Sequence, residues 1–385
     1  MLFSTPHLNE HELHVLQEVE QLKHTLRYRL HEPRRWAGQL RRQTFARALQ
    51  GSNSIEGYVA ELDDAAAIAA GAEPLDASEE TRLAIKGYSD AMTYVIQLAD
   101  DDDFTHSVQL LKSLHFMMTG YSLDNRPGRW RAGAIYVRDE QSGVSVYEGP
   151  DVDRVPALMN ELGQQLNTEC ADNEHPALVR AAMAHLNLVM IHPFRDGNGR
   201  MARCLQSLIL ARERVLSPVF MSVEEYLGRN TPAYYAVLAQ VGQGSWHPEN
   251  DARPWMRFML TAHLRQARTL LVRVRESEQL WIELDRRAKK HGLPERTLTA
   301  LFDAAMGYRV RNQTYRADVG SLADEEITDA TARRDLTRLT DLGLMESRGE
   351  KRGRYYVAGR ELREIREAIV KSRNKRDDSD PFEDA

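Results

Sequence analysis

Apolar residues along this chain recur at helical spacing over most of its length. Between Glu10 and Ala99 charged runs are interrupted by Leu30, Trp36, Leu40 and Phe45, which reads as amphipathic helix. A Gly-Ser-Asn-Ser stretch, Gly51 to Ser54, reads as a break in that pattern. Further helices are predicted over Ala60–Ala70, after Ser78, and over Thr105–Thr119. Alternation replaces the helical period only at Ala134–Val137 and Val144–Tyr147, with Gly143 between them, which predicts one β-hairpin. Helices resume at Val155 and at Pro176, and the second should stop near His192 because Pro193 disfavours helix in the residue before it. The next runs through Cys204, Leu205, Leu208 and Ile209 to about Leu216–Pro218, and others follow near Tyr234–Val241 and Arg253–Arg275.

From Leu293 to about Gly359 the order is helix, a short strand near Thr314–Arg316, two helices, then two apolar segments flanking the basic run Arg348 to Arg354. The helix Asp329–Asp341 turns Leu336 and Leu339 inward and Arg333, Arg334, Thr337 and Arg338 outward. This resembles a winged helix-turn-helix. The charged stretch after Lys371 predicts disorder. The expected organisation is a helical region 1–104, a core 105–264, a connecting helix 265–292, a winged-helix domain 293–370 and a disordered tail 371–385. The fold class is mainly α.

Composition adds exclusions. With 385 residues, 42% hydrophobic and 28% charged, the chain is globular and has room for two or three domains. A formal charge of -6 gives no general attraction to nucleic acid. Two cysteines without ligand spacing, Cys170 and Cys204, and no apolar run able to span a bilayer, lead to the expectation of a cytoplasmic protein without a membrane segment.

The chemistry is concentrated in His192-Pro193-Phe194-Arg195-Asp196-Gly197-Asn198-Gly199-Arg200-Met201-Ala202-Arg203. A helix ends at a histidine, a glycine-containing loop follows and a new helix starts. Such a loop lets successive N–H groups face one point beside a positive helix end, a cradle for an anion. Arg200 and Arg203 extend the cradle, Asp196 is a hard oxygen ligand suited to magnesium, and His192 is a base near neutral pH. Together they are the parts for transfer centred on a phosphate.

These residues match, at every fixed position, the signature His-Pro-Phe-x-Asp/Glu-Gly-Asn-Gly-Arg-x-x-Arg of the Fic family, and the similarity reaches from roughly Thr105 to Leu264. The resemblance implies a Fic-type helical core with a hairpin flap and a protein adenylyltransferase that moves AMP from ATP to a Ser, Thr or Tyr hydroxyl. It implies that His192 is the catalytic base, that Asp196 holds Mg2+, and that Gly197, Asn198, Gly199, Arg200, Met201, Ala202 and Arg203 line the ATP site. Phe194 is expected as a buried anchor. Asn230 and Tyr235 resemble nucleotide contacts, and Gly128, Arg131 and Ala134–Val137 resemble the flap that pairs with a target segment. Ser52-Asn53-Ser54-Ile55-Glu56-Gly57 fits the family's inhibitory pattern, which implies that Glu56 competes with ATP for Arg203, with Ser52 and Gly57 framing it. ATP and a target protein are thus the implied partners, a homodimer and DNA further ones. The alternative is a DNA-binding regulator whose Fic domain modifies itself or removes AMP.

Overall fold

The computed structural model describes residues 1–31, 35–138, 145–172, 175–212, 218–220, 222–323, 326–373, 377 and 379–383. Helices dominate. In chain order they are α1 (Glu10–His31), α2 (Arg35–Ile55), α3 (Leu62–Ala69), α4 (Glu79–Leu98) and α5 (Val108–Thr119). The hairpin β1 (Tyr136–Arg138) and β2 (Ser145–Glu148) follows, with Tyr136 opposite Glu148 and a register shift between Val137 and Arg138. Then come α6 (Val155–Asp172), α7 (Ala177–Ile191), α8 (Asn198–Ala211), α9 (Glu224–Arg229), α10 (Thr231–Gly242) and α11 (Arg253–Lys290). The last part holds α12 (Thr297–Ala305), α13 (Asn312–Ala323), α14 (Asp329–Asp341), β3 (Met345–Arg348), β4 (Tyr355–Ala358) and α15 (Arg360–Lys371).

Helix α7 is the centre. All its residues except Val189 are buried, which marks a helix enclosed on every side. Its polar residues are satisfied inside. Asn187 accepts the Phe3 N–H, His185 bonds Gln206 and Tyr234, and the Ala182 carbonyl accepts from Trp255. Helix α8 packs alongside with its apolar residues, including the free thiol Cys204, inside.

The structure revises several expectations. Gly51 to Ser54 is no break but the end of α2, buried at Gly51, Ser52 and Asn53, because small residues are needed where this helix crosses α9. Thr314–Arg316 lies inside α13; Thr314 receives the Arg311 N–H at the helix start. The extended residue there is Val310, which exchanges both backbone hydrogen bonds with Tyr356. Helix α8 ends at Ala211; Gly143 and residues 213–217 lie outside the described residues. Position 264 lies inside α11, which runs unbroken through it, with no Gly or Pro between Trp255 and His291. At the C-terminus Phe382 is buried under Arg257, and Asp377 pairs with Arg268, so the described tail residues lie on the basic face of α11 rather than free of it.

Among the described residues, α12, α13 and α14 followed by the hairpin β3–β4 keep the predicted order. Arg333, Arg334, Thr337 and Arg338 are exposed, and Asp335 is turned inward to Arg296 and Tyr315. Also among the described residues, no helix is long and apolar enough to cross a membrane.

Candidate active site at the α7–α8 loop

The end of α7 aims the histidine. His192 caps it in the left-handed conformation, φ 50°, and its N–H still bonds the Leu188 carbonyl. Its Nδ1 lies 3.0 Å from the Val189 carbonyl. A carbonyl only accepts, so Nδ1 carries the proton and Nε2 is left with its lone pair. Burial lowers the His192 pKa below its ordinary 6.5, against the opposing effects of the Val189 bond and of Glu56.

The loop closes on itself. The Asn198 side chain accepts the Phe194 N–H at 2.8 Å and donates to the Phe194 carbonyl at 2.9 Å. Gly197 takes φ 76° as the N-cap of α8, where a Cβ would press on Thr119. The first-turn N–H groups of Asn198, Gly199 and Arg200 have no acceptor within the helix. The Met201 N–H is already bonded to the Gly197 carbonyl, and the Met201 and Ala202 side chains are fully buried. These two therefore back the loop instead of facing its mouth.

Phe194 is the expected anchor, fully buried and stacked at 3.7 Å on His115. His115 was not singled out in the sequence, yet it fixes the loop. It donates from Nε2 to the Asp196 carbonyl at 2.8 Å and accepts the Gly128 N–H at Nδ1, 2.9 Å away. Burial lowers its pKa to about 4, so it is neutral, as this pairing requires. Asn125 donates to Asp196 Oδ2 at 3.0 Å and holds the carboxylate at the loop tip. Arg131 ties the hairpin to the loop, donating to the carbonyls of His192, Gly133 and Pro150 while its own N–H bonds Pro193.

The two arginines differ. Arg200 is fully buried beneath the Tyr58 ring and 3.5 Å from Asp196, and its Nε and one terminal nitrogen lack hydrogen-bond partners among the described residues. Arg203 is engaged by α2. It donates to Ser52 Oγ at 2.7 Å, to the Ser52 carbonyl at 2.9 Å and to Glu56 Oε1 at 2.7 Å. Backbone capping sets the reach of Glu56. Gly57, φ 84°, bonds Ser54 and Tyr58 bonds Asn53, so α2 ends in a Schellman turn with Glu56 as its last cap. The carboxylate lies over Gly199, where a Cβ would collide with it. Burial pushes the Glu56 carboxyl up, but Arg203 and Arg200 outweigh it and hold the group below its ordinary range. Arg203 moves the other way for the same reason: burial lowers it and Glu56 raises it further.

Tyr235 is half exposed and donates to the Ile55 carbonyl at 3.2 Å, beside Glu56. Asn230 stands between α9 and α10 with its amide donated to the Tyr226 carbonyl at 2.7 Å. The structure thus gathers His192, Asp196, the loop amides, both arginines, Ser52, Glu56 and Tyr235. The arrangement can bind an anion beside an unprotonated imidazole, with one guanidinium already held by a carboxylate.

Residues 105–210 match the model of the Fic/DOC family. That segment resembles a Fic domain. The chain is similar to the protein adenylyltransferase Fic of Nematostella vectensis, at 27% identity over 57% of this chain and 47% of that protein. To the protein of the same name from Aedes aegypti it is 32% identical over 47% of this chain and 34% of that one. The chain thus spans less than half the length of these two curated relatives. Two solved structures share the fold. A Fic family protein from Desulfovibrio desulfuricans G20 superposes with TM-score 0.57 at 22% identity, covering 97% of this chain and 99% of that one. Residues 134–508 of Fic-1 from C. elegans superpose with TM-score 0.53 at 23% identity, covering 68% and 73%. The matched family segment ends in α8, seven residues past Arg203, and so contains the whole loop just described, while Ser52 and Glu56 lie outside it.

Proposed function

We propose that this chain is a protein adenylyltransferase held mostly off by Glu56. The Nε2 lone pair of His192 beside the Fic-domain loop carries the reading. A target Ser, Thr or Tyr hydroxyl gives its proton to that nitrogen as its oxygen bonds the α-phosphorus of ATP. The bond from that phosphorus to the bridging oxygen breaks, and pyrophosphate leaves. The N–H groups of Asn198, Gly199 and Arg200 receive phosphate oxygens, and Arg203 pairs with the distal phosphates. We assign Tyr235, bonded beside Glu56, to the nucleoside side of ATP, and β1 to the target segment, whose strand would pair along its edge.

Magnesium fits the donor set. Among the described residues no group of three ligating side chains exists, so the protein offers one carboxylate, Asp196, whose Oδ1 has no hydrogen-bond partner there. A hard cation sharing ligands with phosphates and water suits that set, and when bound it neutralises phosphate charge. A cytoplasmic setting accords with the free buried thiol of Cys204.

Glu56 and the distal phosphates need the same guanidinium fork, so ATP settles productively only when Glu56 has left Arg203. With labelled ATP and a cell lysate, Glu56→Gly should raise AMP transfer at least about tenfold, given the strength of a charge-assisted pair. His192→Ala should abolish it. Equal transfer by wild type and Glu56→Gly would remove the brake from this account.

A second reading rests on α14, whose exposed Arg333, Arg334, Thr337 and Arg338 share one face while Asp335 is turned inward. In it the α12–β4 module is a winged helix that contacts DNA. Binding of the 385-residue chain to random duplex should then weaken steeply with salt, and Arg334→Ala with Arg338→Ala should reduce it. Salt-insensitive or absent binding leaves the module as protein scaffold.

A further inference from the structure

Glu56 engages one side of Arg203, and the other side leads inward. The Arg203 Nη2 meets Glu56, while Nη1, 3.1 Å from where a Cβ on Gly199 would stand, has no hydrogen-bond partner among the described residues. Nε is turned to α2, donating to Ser52 Oγ at 2.7 Å. Behind that contact runs a line of buried groups. Ser52 hydrogen-bonds the Tyr88 hydroxyl. Tyr88 in turn donates to Glu224 Oε1 at 2.9 Å, and Ser207 donates to the same oxygen at 3.2 Å. Arg203, Ser52, Tyr88 and Glu224 come from α8, α2, α4 and α9, and each is at most 1% exposed.

The two ends of this line fix every proton in it. A guanidinium only donates, so Ser52 Oγ accepts from Arg203 and passes its own proton to Tyr88. The Tyr88 proton goes to Glu224, which receives it most strongly as a carboxylate. Burial pushes the Glu224 carboxyl up to about 7, against the pull of Tyr88, Arg203 and Ser207, so it changes charge near neutral pH. Its Oε2 has no hydrogen-bond partner among the described residues. Of the titratable neighbours, Tyr88 and Cys204 are both pushed up by burial and stay neutral, which leaves Arg203 as the charge acting on Glu224. Arg47 of α2, Arg229 of α9 and Arg273 of α11 turn to the adjacent Glu225, and Arg265 of α11 reaches Tyr226.

We propose that Glu224, acting through Tyr88 and Ser52, is a positioning residue that fixes the Nε side of Arg203 and so keeps its terminal nitrogens aimed at the phosphates of ATP. This rests on the reading of Arg203 as a phosphate ligand. Ionised Glu224 ends the line on a charged acceptor, the stronger form of such a bond. Protonated Glu224 is itself a donor and competes for the Tyr88 oxygen, so Ser52 loses its fixed orientation towards Arg203. ATP should therefore bind more tightly above pH 7 than below it. Charge acting directly on the ligand would have the opposite sign, because a buried carboxylate repels phosphate.

Isothermal titration with ATP and magnesium tests this in the 385-residue chain carrying Glu56→Gly and His192→Ala, which lack the brake and the base. In that protein the dissociation constant should fall at least about threefold as pH rises through 7, the effect of one hydrogen bond gained. Adding Glu224→Gln should remove the step and leave the affinity at its weak, low-pH value. Tyr88→Phe should do the same with the carboxyl still present. Ser207→Ala takes away a donor that favours the carboxylate, so it should keep the step and move it to higher pH. Thermal unfolding checks that each variant is folded; if Glu224→Gln is not, the parent's own step and its loss in Tyr88→Phe still decide. Affinity that weakens as pH rises, or a step of the same size in Glu224→Gln or Tyr88→Phe, overturns the positioning role. An absence of ATP binding by the parent at every pH instead fails the phosphate reading of Arg203, and this inference with it.

Discussion

At the scale of single residues, the site is a set of side chains whose protons are fixed by backbone groups. The Val189 carbonyl decides that His192 keeps its proton on Nδ1, and burial holds the ring neutral below its ordinary 6.5. The sign follows directly. A base with a lowered pKa stays competent as pH falls through 6.5 and loses competence only further down. Glu56 favours the charged ring, so removing it moves the acid limb lower still. The acid limb of kcat for Glu56→Gly should therefore have its midpoint below pH 6.5; a midpoint above pH 6.5 would mean that another group titrates. The contiguous loop was legible in the sequence because its chemistry is contiguous. His115, Asn125 and the bond from Arg131 to His192 were not, because the loop groups they hold lie more than sixty positions away and nothing local marks a histidine that will hold a distant carbonyl.

Among elements, the decisive contact is the crossing of α2 and α9. A Cβ on Gly51 would stand 2.5 Å from the Glu224 carbonyl oxygen, and one on Gly228 would stand 2.6 Å from the Gly51 backbone. Read locally, Gly-Ser-Asn-Ser is a helix breaker; in the fold it is a helix turn whittled down to let another backbone approach. Gly51→Ala must push α2 off α9, and Glu56 rides on the next turn. AMP transfer should rise several-fold, at a stability cost of about 1–3 kcal/mol typical of overpacking, measured by labelled transfer beside chemical denaturation. Wild-type transfer with a shifted unfolding midpoint would show that the crossing stabilises α2 without positioning its end. The helices predicted elsewhere were readable because buried faces impose a period. Thr314–Arg316 was misassigned because β-branching suggests a strand, where the threonine hydroxyl in fact starts α13.

For the whole molecule, two helices link segments that the sequence suggests are separate. Helix α11, about 57 Å long by its rise, joins the Fic core to the C-terminal module and receives both chain ends, Glu12 through Arg253 and Arg257, and Asp377 through Arg268. Helix α2 makes the second connection, seated in the module at Gln39 and Gln43 and in the active site at Ser52 and Glu56. Sequence periodicity could show that α2 was helical, but not that one unbroken helix joined two distant docking points.

That continuity makes the proposed brake a matter of phase. Each residue of an α-helix advances 1.5 Å and turns about 100°, so both ends of α2 are correctly oriented only at the present spacing. One alanine inserted between Gln43 and Leu49 would keep every named residue in the sequence and rotate the carboxylate away from Arg203. Such a protein should transfer AMP about as fast as Glu56→Gly, and transfer at the wild-type rate would mean that α2 can slip in its seat. The proposed off state is thus written in a count of residues as much as in their identity.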